Sequence, residues 1–66
     1  MSNPNRYEVR IGWYAEDNGY IATVPDLPGC SAWGISRREA LEEAQDAIMA
    51  WIAAAKAAGN PIPQPT

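Results

Sequence analysis

A rigid seven-residue segment, Val24-Pro25-Asp26-Leu27-Pro28-Gly29-Cys30, lies between a β-rich first third of the chain and a long predicted helix. Each of its two prolines fixes φ and removes a backbone N–H donor. The aspartate can hydrogen-bond its own backbone and start a turn, and the glycine can adopt a positive φ at no steric cost. This segment, the proline connector, therefore forces the chain to change direction, and it supplies no chemistry by itself.

The size of the chain limits its stability. Its 66 residues suffice for one small domain, spanning residues 1–66, and a domain of this size buries only about 60% of the surface of its unfolded chain. A disulfide cannot stabilise it, because Cys30 is the only cysteine in the sequence. Small domains without such a link usually need a partner subunit. We therefore expect a homo-oligomer, either a dimer or a tetramer.

Composition also excludes several function classes. Histidine is absent, which removes imidazole as a metal ligand, as an acid–base group and as the activator of a nucleophile. The net charge of −3 argues against nucleic-acid binding by this chain alone and favours a basic protein partner. The N-terminus is polar, and no apolar run reaches the roughly 20 residues of a membrane span. We expect a cytoplasmic protein without a membrane partner.

Alternating residues predict three strands. The first runs from Tyr7 to Tyr14 and has one face that consists of Tyr7, Val9, Ile11 and Trp13. A turn at residues 15–19 leads to a second strand, Tyr20 to Val24, which must be its antiparallel neighbour. Residues 30–34, after the proline connector, are long enough for a short third strand.

The helix that follows has clear boundaries. Ser36 and Glu39 form a capping-box pattern, and Gly59 occupies the left-handed position after the last turn, so the helix should run from about Arg37 to Ala58. Placing residues at 100° steps gives a core-facing stripe, which consists of Leu41, Ala44, Ile48, Trp51, Ile52 and Ala55.

The second half of this helix is almost uncharged, since residues 47–58 carry only Lys56. A helix of about 33 Å should also extend beyond strands of about 17–26 Å. Either its alanines simply tolerate water, or this half forms a contact between copies of the chain. The self-association candidates are Met49, Ala50, Trp51 and Ala54. The Pro-rich tail, residues 60–66, either folds back so that Ile62 covers the helix end or serves as a linker, and residues 1–6 are expected to be flexible.

No group of residues predicts catalysis, a metal site or a cofactor. Glu16 and Asp17 are adjacent in a predicted turn, where carboxylates are usually solvated. Cys30 has no histidine to activate it and is expected to be a small buried residue. A run of carboxylates on one helix face is usually its solvated side; this run consists of Glu39, Glu42, Glu43 and Asp46.

The order of these features resembles one family. The pattern is Tyr7-x-Val9-x-Ile11, then Asp17-Asn18-Gly19-Tyr20-Ile21-Ala22-x-Val24, the proline connector, Ser36-x-x-Glu39-Ala40-Leu41-x-x-Ala44-x-x-Ala47-Ile48, and Gly59-Asn60-Pro61-Ile62-Pro63-Gln64-Pro65. It is similar to the HicB antitoxins of HicA–HicB toxin–antitoxin pairs, over nearly all of residues 7–65. The proline connector followed by the Glu-Ala-Leu helix is its most specific part.

The resemblance implies an α+β fold, in which a three-stranded antiparallel sheet carries one long helix on one face (β-β-β-α, a partial ribonuclease-H-like fold). It also implies a cognate HicA-like partner, a small basic RNA-cleaving toxin. Many relatives have a C-terminal DNA-binding domain, but this chain ends at Thr66, so it is either a short form or a truncated one. Trp33 stands where many relatives have a polar residue or histidine, which makes any outward surface there more apolar.

The sequence therefore favours an antitoxin-like binding module that neutralises its toxin by steric occlusion. The alternative is an orphan oligomeric structural or interaction protein, and the enzyme alternative is a metal-dependent nuclease that would depend on Glu8 or Asp46. Ribonuclease activity needs converging carboxylates on strands, so we predict no enzyme. The candidate toxin contacts are Glu16, Asp17, Asp26, Leu27 and Trp33.

Overall fold

The computed structural model describes residues 6–65. Three antiparallel strands, β1 (Arg10–Tyr14), β2 (Gly19–Thr23) and β3 (Ser31–Gly34), form a sheet in the order β1-β2-β3, and the long helix α1 (Arg37–Ala57) packs on one face of it. The predicted α+β fold with its β-β-β-α order is confirmed. Of the segment expected to be flexible, residues 1–5 lie outside the described residues, as does Thr66 at the end of the tail.

The β1–β2 hairpin is closed by a single 3-10 turn, Ala15–Asp17, followed by Asn18 at φ 51°. Ile11 lies opposite Ala22 in this hairpin, and Ala32 of β3 flanks Ala22 on its other side. Because residues opposite each other project to the same face of a sheet, these three side chains all point toward α1.

The first strand is shorter than predicted, since β1 begins at Arg10 instead of Tyr7. The Tyr7 ring instead packs into a core cluster, and its hydroxyl donates a hydrogen bond to the backbone oxygen of Pro63 (2.6 Å). The tail therefore contacts the start of the chain at Pro63, while the predicted covering of the helix end by Ile62 stays a prediction. The rest of this cluster consists of Val24, Leu27, Cys30 and Ile48.

The proline connector is held by three backbone hydrogen bonds. The amide of Val24 donates to the carbonyl of Cys30 (3.1 Å), and the amide of Leu27 donates to the carbonyl of Val24 (3.1 Å). The amide of Cys30 completes the loop by donating to the carbonyl of Leu27 (3.0 Å), and Gly29 has a φ of 78°. The connector thereby turns the Leu27 side chain inward and brings the chain back as β3.

Small residues form the closest contact between α1 and the sheet. A Cβ atom added at Gly34 would overlap the backbone nitrogen of Ala40 and lie 2.8 Å from the carbonyl carbon of Glu39. Ala22, Ala40 and Ala44 form a fully buried cluster beside this contact. The backbone of α1 therefore lies almost directly on β3.

This close approach shifts the core-facing stripe of the helix away from the predicted one. Ala40 is fully buried, whereas Leu41, which was predicted to face the core, is 38% exposed. A leucine cannot occupy the position where the two backbones nearly touch, so it lies at the margin of the contact. Of the other predicted core residues, three are buried (Ala44, Ile48 and Ala55) and two are half-buried (Trp51 and Ile52).

Both ends of α1 agree with the sequence prediction. The Ser36 hydroxyl accepts a hydrogen bond from the amide of Glu39 (3.1 Å). At the other end, Gly59 has a φ of 73° and donates to the carbonyl of Lys56, while the amide of Asn60 donates to the carbonyl of Ala55. These two bonds form a Schellman motif, which stops the helix and directs the tail back toward Tyr7.

We predict that Gly34→Ala destabilises the fold by about 1–3 kcal/mol, because the added methyl group must push α1 away from β3. The matched control is Gly12→Ala on β1, where an added Cβ atom meets nothing within 4 Å. Urea denaturation measures both, and the control should leave the free energy of unfolding unchanged or raise it slightly. Equal stability of the two variants would contradict the close contact.

We also predict that Tyr7→Phe loosens the tail with little change to the core, because it removes only the hydroxyl that donates to Pro63. A hydrogen bond of this kind contributes about 1 kcal/mol. The ¹⁵N relaxation order parameters of Ile62 and Gln64 should fall, which reports greater motion of the tail, while those of β2 stay the same. Unchanged order parameters in the tail would show that the hydrogen bond does not hold it.

Candidate interaction surfaces

No other part of residues 6–65 covers the face of the sheet that points away from α1. We call it the open face. The strand register and the alternation of side chains assign eight residues to it: Arg10, Gly12, Tyr14, Gly19, Ile21, Thr23, Ser31 and Trp33. Tyr14 and Trp33 are exposed and Ile21 is half-buried, so the middle of this face is apolar and accessible.

Trp33 has a defined position on the open face because Gly19 has no side chain. A Cβ atom added at Gly19 would lie 2.5 Å from three atoms of the Trp33 indole. The indole therefore covers the backbone of Gly19, which is buried as a result, and 39% of Trp33 stays exposed. A large aromatic group is thus held in place at the surface instead of moving freely.

A shallow hollow of about 340 Å³ lies over β1 and β2 on this face. Its floor includes Gly12. A Cβ atom added at this glycine would meet no other atom within 4 Å. Arg10, Tyr14 and Ile21 are among the residues that line it. The absence of one side chain in the middle of a strand therefore creates a space into which a partner's side chain could fit.

Acidic residues lie at both ends of the open face. The hairpin turn at one end carries Glu16 and Asp17, both exposed. At the other end the Nε of Arg10 donates to Glu8 (2.6 Å). This hydrogen bond and the charge of Glu8 raise the pKa of Arg10, with a smaller contribution from the charge of Asp26. Two carboxylates, Glu8 and Asp26, thus act on the charge of Arg10 at this end of the face.

The structure brings most of the predicted toxin contacts to this one side of the sheet. Trp33 lies on the open face, Glu16 and Asp17 are at one end, and the half-buried Asp26 is at the other. Leu27 is the exception, because it is 0% exposed inside the core cluster. The prediction of Leu27 as a contact is corrected for that reason: the proline connector turns it inward.

Three residues that make this face distinctive were not among the predicted contacts: Gly12, Tyr14 and Ile21. A signal was present for Gly12, since a glycine in the interior of a strand often marks a place where another group approaches closely. Tyr14 and Ile21 could be placed beside Trp33 only with the register of all three strands.

The four self-association candidates on α1 do not form one surface. Met49 is 53% exposed, and Ala50 and Ala54 are also exposed, but Met49 and Ala54 lie roughly 140° apart around the helix. Trp51 is half-buried, and its indole N–H donates to the carbonyl of Pro28 (2.9 Å). Self-association through this half of the helix stays a prediction.

On the α1 side of the sheet, an aromatic pair lies beyond the helix N-terminus. The rings of Trp13 and Tyr20 meet edge to face with their centroids 5.3 Å apart, and the guanidinium carbon of Arg37 is 5.0 Å from the centre of the Tyr20 ring. Trp13 was predicted to share a face with Ile11, which the register agrees with, but it is 56% exposed because α1 does not extend over it.

The groups considered for chemistry are separated in the structure. Among residues 6–65, no three His, Cys, Asp or Glu side chains are close enough to hold a metal ion. Glu8 is bound to Arg10 beside the open face, whereas Asp46 is exposed on α1. Within the same range of residues, no helix is long and apolar enough to cross a membrane.

An α+β layer that leaves one apolar face open between acidic ends has the features of a module that binds another protein. The comparisons with known proteins agree. A family model described as a HicB-like antitoxin of a bacterial toxin–antitoxin system matches residues 7–66. The chain is also 41% identical over 49 residues to UPF0150 protein Ta0767 of Thermoplasma acidophilum, which covers 74% of this chain and 71% of that protein. This chain belongs to the HicB-like antitoxin family.

We predict that Cys30 makes stability depend on pH in the alkaline range. Burial raises the pKa of the Cys30 thiol above its ordinary value of 9.0, so the unfolded chain releases the proton before the folded one does. The contribution of the buried thiol to the free energy of unfolding is fully present below about pH 9. It is lost as the pH rises toward the pKa of Cys30 in the folded chain, by up to about 1.4 kcal/mol per pH unit.

Urea denaturation between pH 8 and 10 tests this dependence, with Cys30→Ala as the control. The control is less stable at every pH because it loses buried volume, but its free energy of unfolding should fall less steeply with pH. Parallel pH profiles for the two proteins would contradict the predicted role of burial.

Proposed function

We propose that this protein binds a small basic RNA-cleaving toxin, similar to HicA, and neutralises it by covering the site at which the toxin binds RNA. The observation that carries the proposal is the match of the antitoxin family model to residues 7–66. Membership in an antitoxin family implies a toxin partner in general and a role without catalysis. The identity of the toxin and the way it is blocked are the proposal.

The charge of the chain supports this partner. A protein that binds RNA needs clustered Lys and Arg side chains to contact phosphates. A protein with a net charge of −3 is attracted to such a cluster and competes with RNA for the same cations. Direct blocking of the RNA site therefore needs no chemistry from the antitoxin, only a surface of matching shape and charge.

Two further features belong to the same proposal. The complex would form in the cytoplasm, where the toxin meets its RNA. The antitoxin would act as a homo-oligomer, a dimer or a tetramer, since a chain of 66 residues buries little apolar surface by itself. Sedimentation at micromolar concentration tests the second feature, and a monomer would contradict it.

The test of the function is co-expression with the product of a small basic reading frame beside the gene of this protein. We expect that product to stop growth and degrade RNA when it is expressed alone, and expect both effects to disappear when this chain is expressed with it. Co-purification through a tag on this chain should show a direct complex.

An unrelated acidic protein of similar size, expressed at the same level, is the control for nonspecific neutralisation. A toxic neighbour that this chain neither binds nor neutralises would overturn the proposed function.

A further inference from the structure

We propose that the open face is the surface on which the basic toxin docks, and that the hollow over Gly12 accepts a side chain that protrudes from the toxin. This inference rests on the proposed function and adds to it the surface of this chain that carries the binding. Its support comes from the apolar centre, the acidic ends and the hollow of the open face.

The centre of the open face has the composition of an interface core. Tyr and Trp are enriched at the residues that contribute most to binding between proteins, and this face exposes Tyr14 and Trp33 with Ile21 next to them. Ile21 lies opposite both Gly12 and Trp33 in the sheet, so the hollow and the indole flank the same side chain. A partner seated here would cover one continuous apolar strip.

The charges around this strip select the partner. Of the eight residues assigned to the open face, Arg10 is the only cation, and it is bonded to Glu8. Three further carboxylates, Glu16, Asp17 and Asp26, lie at the two ends. Electrostatic complementarity of this kind increases the association rate and excludes partners of the same charge. The surface thus fits a basic protein that has an apolar centre.

The same charges argue against a second copy of this chain on the open face. Both ends of the face carry carboxylates, so a face-to-face pairing of two copies brings carboxylates of one copy near those of the other. The sheet face itself spans only about 14 Å by 17 Å, or roughly 240 Å², whereas a standard interface buries about 800 Å² on each partner. The contact must extend over the acidic ends, which is favourable for a basic partner and unfavourable for a copy.

The hollow provides a substitution that blocks docking without harming the fold. Gly12→Val adds side-chain atoms to open space, since nothing lies within 4 Å of the Cβ position. Valine is favoured in strands, so the variant should be at least as stable as the original chain. The side chain would nevertheless occupy the space that we assign to the partner.

The first experiment uses the unaltered chain, labelled with ¹⁵N, and the product of the small basic neighbouring reading frame in catalytically inactive form. We expect the largest chemical-shift changes at the amides of Gly12 and Ile21 and at the indole N–H of Trp33, with little change at Met49 on α1. Changes confined to α1 would overturn the assignment of the surface.

The second experiment measures binding of the same partner to Gly12→Val by calorimetry, with Met49→Ala as the control. We expect Gly12→Val to weaken binding at least tenfold and Met49→Ala to leave it within about twofold, because hot-spot contacts cluster at the centre of an interface. Thermal unfolding of both variants verifies that they are folded.

The contribution of the acidic hairpin turn to docking is tested by association rates at two salt concentrations. Neutralising the hairpin turn with Glu16→Gln and Asp17→Asn should slow association several-fold at low salt and reduce its salt dependence. The matched control neutralises two carboxylates on α1, with Glu42→Gln and Glu43→Gln, and should have the smaller effect. A larger effect of the helix pair would contradict docking on the open face.

The outcomes separate this inference from the proposed function. If the unaltered chain does not bind the neighbouring product, the proposed function fails and the docking surface fails with it. If the unaltered chain, Gly12→Val and Met49→Ala bind equally, the function stands and the docking surface is overturned. If Gly12→Val instead converts an oligomer of this chain to a monomer, a second copy occupies the open face and the inference is also overturned.

Discussion

The contact between the backbones of α1 and β3 determines the position of every other part of the fold. Gly34 has no side chain, so Ala40 can lie directly against it, and the alanines at positions 22 and 44 fill the space alongside. From this fixed point α1 runs back along the sheet and brings Ile48 to the core cluster near the proline connector. Because α1 packs on one face of the sheet, no part of residues 6–65 covers the other face.

The sequence was sufficient for the parts of the fold that depend on local signals. The Ser36 cap, the end of α1 before Gly59 and the three strands follow from capping, turn residues and alternation, all of which act over a few positions. The core-facing residues were harder to predict. A periodic pattern weights a residue by its hydrophobicity, so it favoured Leu41, whereas the tight contact at Gly34 required the smaller Ala40.

The candidate surface likewise combines features that could be predicted from the sequence with features that could not. Single residues such as Glu16 and Trp33 could be chosen from charge and residue type, but their arrangement along one side of the sheet depends on the register of strands that are distant in sequence. The hollow is harder still to predict, because it consists of an absent side chain. A residue within the proline connector, Leu27, was misjudged because three backbone hydrogen bonds, which alternation does not describe, turn it into the core.

The hydrogen bond between Tyr7 and Pro63 has a consequence for synthesis of the protein. It joins residues 56 positions apart, and the Tyr7 ring also needs Ile48 beside it in the core. A ribosome shields the residues that it has added last, so Tyr7 and the β1–β2 hairpin emerge first. The two distant partners of Tyr7, Ile48 and Pro63, are at that time still being made or are inside the ribosomal exit tunnel. Contacts of such high sequence separation form late in folding. Tyr7 therefore reaches its final position only after Ile48 and the tail have left the ribosome, and until then its ring is accessible to proteases and chaperones.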